Sequence, residues 1–424
     1  MIHSLSQSHF KRMMPNTVAY LEYLKKQNKL PETHVFEFTK YHAPTESNLL
    51  NQIAFFSGFS DLSNFFEGNK HKKLDNKENQ WLWDYYQQSG YVTMFSEEHC
   101  NILESLRHFI DDPRIIDERF TDLYCQFASD PFFGSVPQNS RFHFHVFDDL
   151  DEDDNLGSGN QDHARKQEHL NIQDGWKPGA SCIGNQYIHS FLFDFIFQFL
   201  ESYSVPLFIP AIFMEAFEPT MTRIKTLDLS LVHFLKKLQN HKYFGNTAVL
   251  ITSDQGMSFS NFAKTSLGKY EKREPFLYLL VPPAVTIHHP QLKHYLFTNQ
   301  NQLVSTFDVY STLRRLPTFK IPSFYNPKNH SLAIDPHYYP LDVTFSSSFS
   351  YKKKDSFIPS HSISLVDEIA PEGRTCHDAK IASNMCRCNN SFSIADEMLI
   401  PLISFVLVAL FALAWWFYAW CANR

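Results

Sequence analysis

One stretch of this chain is unsuited to water on every face. From Met398 through Ala422 no residue is charged, with Glu397 before the run and Arg424 closing the chain. Only Pro401 and Ser404 interrupt its apolar character. A helix needs roughly 20 apolar residues to cross a hydrocarbon core, so 398–421 is read as one transmembrane helix. Trp415, Trp416, Tyr418 and Trp420 crowd its far end, where amphipathic rings favour the headgroup layer. The competing reading, a buried core helix, leaves a terminal segment that is apolar all round with nothing to cover it. Acidic Asp396 and Glu397 before the span and Arg424 after it orient the bulk of the chain outward.

The cysteines agree with that orientation. Cys421 belongs to the span, and Cys100, Cys125, Cys182, Cys376, Cys386 and Cys388 form an even set ahead of it, as in a disulfide-bonded lumenal or extracellular domain. Asn329 and Asn389 each open a glycosylation sequon. A net charge of -7 gives no electrostatic case for a nucleic-acid partner. Against translocation, residues 1–30 are polar and basic and lack an apolar signal core. The expectation is therefore either a tail-anchored protein facing the cytoplasm or a chain without its true beginning.

Between these ends, strands alternate with helices. Phe10 to Lys25 reads as one amphipathic helix, with Met13, Met14, Val18, Leu21 and Leu24 at helical spacing. Leu49 to Phe56 is helical, with Thr45 ahead of it as N-cap. Tyr91–Phe95 and Pro206–Met214 read as strands, and Tyr187–Tyr203 as a helix. Leu227–Gln239 is a helix with Leu229, Leu231, Leu235 and Leu238 inside. Thr247–Thr252 and Phe276–Val281 are the clearest strands, the second stopped by Pro282 and Pro283. This pattern predicts an α/β domain over 1–340 with a mostly parallel sheet flanked by helices. A polar insertion at 148–174, a linker and Cys-containing tail at 341–397, and the span at 398–421 complete the organisation.

Ser253-Asp254-Gln255-Gly256 follows the strongest strand, where ligands collect in open α/β sheets. As a bare pattern it reads as a turn before it reads as a metal site. The pair His143 and His145 lacks a third ligand. The acidic run from Asp149 lacks the glycine and glutamate of a calcium loop, with Asp154 and Asn160 in their places.

Taken in order, the landmarks resemble the alkaline phosphatase/sulfatase superfamily and, more narrowly, a metazoan family named domain of unknown function 229. Ser4 with Phe10, Arg12, Met14-Pro15 and Thr17 is similar to its opening segment, and Thr45, Asn48 and Ser57-Gly58 to its nucleophile turn. Trp83, Gly90 to Thr93, Glu97-Glu98, and Cys182 to Gly184 with Phe199 and Tyr203 follow in register. Asn246-Thr247, Ser253 to Gly256 and Glu274 to Leu277 resemble the core metal motif and its next strand. Phe307 to Tyr310, Thr312-Leu313, Ser364-Leu365, Glu368, Arg374 to Cys376 and Cys386 to Cys388 resemble the ending.

The resemblance implies metal-dependent ester chemistry, commonly with two zinc ions or other divalent metals. It makes Thr45 the nucleophile, Asn48 an oxyanion contact and Asp254 a metal ligand. It also marks departures: His3, Glu218 and Gln255 stand at substituted ligand positions, and a neutral glutamine is a poor ligand. In the resembled fold the opening segment ends a central strand, and here only Met1 and Ile2 precede His3. The expectation is a membrane-anchored relative whose metal site is lost or weakened and whose hydrolytic activity is gone, binding an unknown ligand or protein. The alternatives are a working phosphate- or sulfate-ester hydrolase with His3 and Glu218 as ligands, and a cell-surface interaction protein whose site is irrelevant.

Overall fold

The computed structural model describes residues 1–27, 31–60, 81–98, 116–120, 182–183, 185–319 and 358–387. The chain opens with helices α1 (Gln7–Met13) and α2 (Pro15–Lys25), then strands β1 (His34–Glu37) and β2 (Tyr41–His42). Helices α3 (Asn48–Ser57) and α4 (Leu82–Gln88) lead to β3 (Val92–Glu97), β4 (Glu118–Phe120), β5 (Cys182–Ile183) and β6 (Gln186–Tyr187). Helix α5 (Ile188–Ser202), β7 (Leu207–Phe208), β8 (Ala211–Ile212), α6 (Lys225–Asn240) and β9 (Val249–Thr252) follow. The series continues with α7 (Ser266–Lys272), β10 (Leu277–Val281), α8 (Pro283–His288), α9 (Pro290–Asn299), β11 (Val304–Ser305) and α10 (Thr306–Arg315).

The expected single helix from Phe10 to Lys25 is two. Met14 leaves the helical region (φ -122°, ψ 55°) because Pro15 follows it. Proline disfavours helical backbone in the residue before it and is itself well suited to a helix's first position. In α6, Leu227, Leu231, Leu235 and Leu238 are buried and Leu229 is exposed, since 229 lies two residues off their stripe. The strand expected over 206–214 is two short pairings, β7 and β8, both parallel to β3 and parted by Pro210.

The sheet is mixed rather than mostly parallel. β1, β10 and β9 pair antiparallel, while β3 pairs parallel with β4, β7 and β8. Residues Met1–His3 lie between these two sets. Ile2 N–H donates to Thr252 at the end of β9 (2.8 Å), and His3 N–H donates to Phe213 just past β8 (2.9 Å). The opening residues thus occupy the central position where the sequence left only a stub.

Cores lie on both faces of β10. Leu277, Leu279 and Val281 pack with α3, α4, α8, α9 and α10 on one side. Tyr278 and Leu280 pack with α1, α2, α5 and α6 on the other. The period-two alternation divides one strand between two apolar layers. Residues 358–385 belong to the same compact unit, Met1–Met385, which extends beyond the boundary expected at 340. They are tied down at several points. Arg374 makes a bidentate ion pair with Asp308 of α10 (2.7 and 2.9 Å), and Leu365 N–H donates to Thr312. Asn299 closes α9 onto the carbonyls of Leu365 and Glu368.

Cys376 and Cys386 form a disulfide. Cys182, expected in the disulfide set, is a free, exposed cysteine, while Cys100, Cys125, Cys388 and Cys421 lie outside the described residues. So do the insertion at 148–174, the segment 341–357, both sequon asparagines Asn329 and Asn389, and the apolar run 398–421. Among the described residues no helix is long and apolar enough to cross a membrane.

Candidate functional site

The sheet ends bring four of the sequence-marked residues together. β9 ends at Thr252, so Asp254 and Gln255 sit at its carboxyl edge. The Met1–His3 stretch runs alongside and delivers His3 and Ser4 to the same place. Helix α3 faces both. Its N-cap is Ser47, whose hydroxyl accepts Leu50 N–H, and not Thr45, which lies two residues earlier in the turn. Gly58 closes α3 in the left-handed conformation (φ 67°). A Cβ there would come within 2.4 Å of the Tyr310 ring, so both backbone and packing demand glycine.

Asp254 is buried, and both its oxygens are occupied by protein donors. Oδ2 lies 2.5 Å from His3 Nδ1 and accepts Gln52 Nε2 at 2.9 Å. Oδ1 accepts the backbone N–H groups of Ser4 and Gln255, each at 2.9 Å. Burial opposes ionisation of Asp254. The His3 charge and hydrogen bond, the Ser4 N–H and the Gln52 amide outweigh it and hold the carboxyl below its ordinary value. Ser4 itself adopts a left-handed backbone (φ 60°), a conformation costing a non-glycine residue about 1 kcal/mol. Its N–H bond to Asp254 and the Asn48 Nδ2 bond to its hydroxyl (3.0 Å) hold it there.

A second run of hydrogen bonds fixes Thr45 and Gln255. Thr45 N–H and hydroxyl both donate to Asn51 Oδ1, at 3.0 and 2.8 Å. That assigns the Asn51 amide, whose Nδ2 then donates to Thr45 O (2.9 Å) and Gln255 Oε1 (3.1 Å). The Thr45 hydroxyl also accepts Ser47 N–H. Among the described residues no acidic or basic side chain is bonded to it, and none of its partners is a base that could take its proton. Asn48, Asn51 and Gln52, at i, i+3 and i+4, form an amide face on an otherwise apolar helix. The sequence reading missed Asn51 and Gln52, though that spacing was the available signal.

Glu218 is not joined to this cluster. Its carboxylate accepts the N–H groups of Thr220 (2.7 Å), Thr222 (2.5 Å) and Arg223 (3.0 Å) and the Thr220 hydroxyl, closing its own turn. Burial again opposes ionisation and these donors overcome it, leaving the carboxyl below its ordinary value. Its neighbour Phe217 does reach the site, with its ring 4.7 Å from that of His3.

These residues do not fit a zinc site. Zinc needs three or four anionic or imidazole donors with lone pairs converging on one point. Here the Asp254 oxygens point at N–H groups, Glu218 is turned into a loop, and Gln255 presents a neutral amide. Among the described residues no group of three or more His, Cys, Asp or Glu is placed to hold a metal ion.

The family model described as "Protein of unknown function (DUF229)" matches residues 1–109 and 163–408. Comparison with curated proteins returned no match. Among solved structures, the chain is similar to the C-terminal periplasmic domain of EcEptC from Escherichia coli, at 10% identity and a TM-score of 0.44, covering 80% of this chain and 86% of that one. A protein in the alkaline phosphatase superfamily from Vibrio parahaemolyticus gives 12% identity and 0.43, covering 75% and 64%. The lipoteichoic acid synthase LtaP from Listeria monocytogenes gives 10% and 0.40, covering 66% and 64%. Nothing those proteins bind or act on is carried over by likenesses of this size.

Proposed function

The chain belongs to the DUF229 family, and on that premise we propose that it is a membrane-anchored, non-hydrolytic relative of the alkaline phosphatases and sulfatases. Its domain faces the lumen or the cell exterior, Met398–Cys421 spans the bilayer and the short C-terminus is cytosolic. What it keeps is a fold for binding a ligand or protein partner.

The observation that carries the loss of chemistry is the occupancy of Asp254. A carboxylate with His3, Gln52 and two backbone N–H groups on its oxygens cannot also receive a dication without giving up several of those bonds. Without a metal or base, the Thr45 hydroxyl remains a weak nucleophile. The location is supported by the Cys376–Cys386 disulfide, which suits an oxidising compartment, and by the charge step across the apolar run.

The test is the full chain purified in detergent, assayed for bound zinc and for hydrolysis of aryl phosphate and aryl sulfate. The expected result is substoichiometric zinc and no turnover above that of Thr45→Val. Stoichiometric zinc with turnover lost in Thr45→Val overturns the reading. Protease protection in intact microsomes tests the topology separately.

A further inference from the structure

At the carboxyl edge of the parallel strands lies a second buried polar cluster, built from residues other than those bonded to Asp254. Glu98 directly follows β3; its N–H donates to Ile212 O (3.3 Å), and its Oε2 accepts Met214 N–H (3.0 Å). That bond places its carboxyl against the segment that carries Glu215. Glu215 Oε1 lies 2.6 Å from Nδ1 of His189, in the first turn of α5. His189 Nε2 meets Ser230 Oγ on α6 at 2.9 Å. All three ionisable residues are buried.

Two oxygens are left over. Among the described residues Glu98 Oε1 and Glu215 Oε2 are each buried with no donor, and Glu215 is the charged neighbour that acts most strongly on the Glu98 carboxyl. If both were ionised, like charges would face each other in a low-dielectric interior, and two acceptors would stay unsatisfied. A single proton between them removes both costs, since a protonated carboxyl donates while a carboxylate accepts.

We propose that Glu98 and Glu215 share one proton and, with His189, form a buried pH-sensitive latch tying β3 and the segment after β8 to helices α5 and α6. The direction of the ionisation equilibria agrees. Burial and then the Glu215 charge push Glu98 well above the carboxylate range. Glu215 is buried too, but the His189 hydrogen bond and charge, followed by the charge of Arg223, hold it below its ordinary value. His189 and Arg223, whose Nη2 donates to Met214 O (3.4 Å), are the basic side chains that act on the pair most strongly. Neighbouring carboxyls pushed in opposite directions are the signature of a shared proton.

The sign of the effect follows. A group whose folded pKa is raised contributes stability that is fully present below its unfolded value and lost as pH rises through the folded one. The latch therefore tightens on acidification and loosens toward alkaline pH. Glu98→Gln makes the protonated form permanent: its amide donates to Glu215, and its carbonyl accepts Met214 N–H.

The experiment is denaturant unfolding of the full chain and of Glu98→Gln from about pH 5 to about pH 8, where only Glu98 ionisation should separate the two curves. The unfolding constants should diverge as pH rises, by about tenfold for each pH unit crossed below the folded Glu98 pKa, with the variant the more stable. A difference that stays constant across the range overturns the proposal. Infrared spectra of the wild-type chain give a check that needs no variant. A protonated-carboxyl band persisting at neutral pH is expected, and its absence also overturns the latch.

Discussion

Asp254 and Asp308 are two fully buried carboxylates wired in closely similar ways, although only one stands where a metal ligand is expected. Asp308 accepts Ser305 N–H (2.7 Å), Ile363 N–H (2.9 Å) and both terminal nitrogens of Arg374. Asp254 accepts Ser4 N–H, Gln255 N–H, the Gln52 amide and the His3 imidazole. Each gathers backbone donors from separate segments and one side chain that can carry positive charge. Asp308 serves the fold, joining α10 to the 358–385 segment. Asp254 has the same design, which joins Met1–Leu5, α3 and the end of β9. An aspartate retained at a ligand position is thus no evidence of a metal; what its oxygens accept decides the matter.

The comparison breaks first at Arg374. Arg374→Ala leaves Asp308 buried without its cation and releases bonds to the Leu303 and His361 carbonyls. Breaking a buried pair from one side costs about 3–5 kcal/mol, and urea unfolding should show a loss of that size. A loss near that of an exposed pair would mean that the segment is held by its apolar contacts alone.

Asp254→Ala should cost somewhat less, about 2–4 kcal/mol, because the side chain it abandons is an imidazole and not a permanently charged guanidinium. The same variant addresses the metal question. Unfolding of the wild type should be unmoved by chelator; a chelator shift present in wild type and absent in Asp254→Ala would split the two aspartates into ligand and clamp. Acid gives a further contrast. The Asp254 carboxyl is held below its ordinary value, so its stabilisation is present above the unfolded value of 3.8 and lost as pH falls through the folded one. Asp254→Asn should flatten that acid limb, read as the pH dependence of the unfolding midpoint.

Much of the frame was legible in the sequence because apolar periodicity is local. β9, β10, α5 and α6 fall within a few residues of where their patterns put them. Strand direction was not legible. β10 is covered by helices on both faces, so it reads as the continuous apolar run of a parallel strand, yet both its partners are antiparallel. Landmark order brought Thr45, Asn48, Asp254, Gln255 and His3 to one place, but it could not show how they are bonded. Asn51 and Gln52 look like outward polar positions until α3 is seen facing the Asp254 loop. The Asp308–Arg374 pair joins residues 66 apart, a separation at which no periodic pattern speaks.

The smallest effect is the most discriminating for Thr45. In a nucleophile turn the hydroxyl is indispensable to turnover and incidental to stability. In the geometry here it is one member of a hydrogen-bonded turn, donating to Asn51 Oδ1 and accepting Ser47 N–H, while Thr45 N–H holds the same Asn51 oxygen independently. Thr45→Val keeps the shape and the backbone bond and removes only the hydroxyl, so it should cost about 1 kcal/mol. Asn51→Ala, which removes the acceptor for both donors and unties Gln255, should cost more, about 1–3 kcal/mol. Combining the two should cost less than the sum of the singles, because residues in one network are coupled. Additive losses in that double-mutant cycle would show that the Thr45 hydroxyl is bonded elsewhere, and would return it to the list of groups free to act on a ligand.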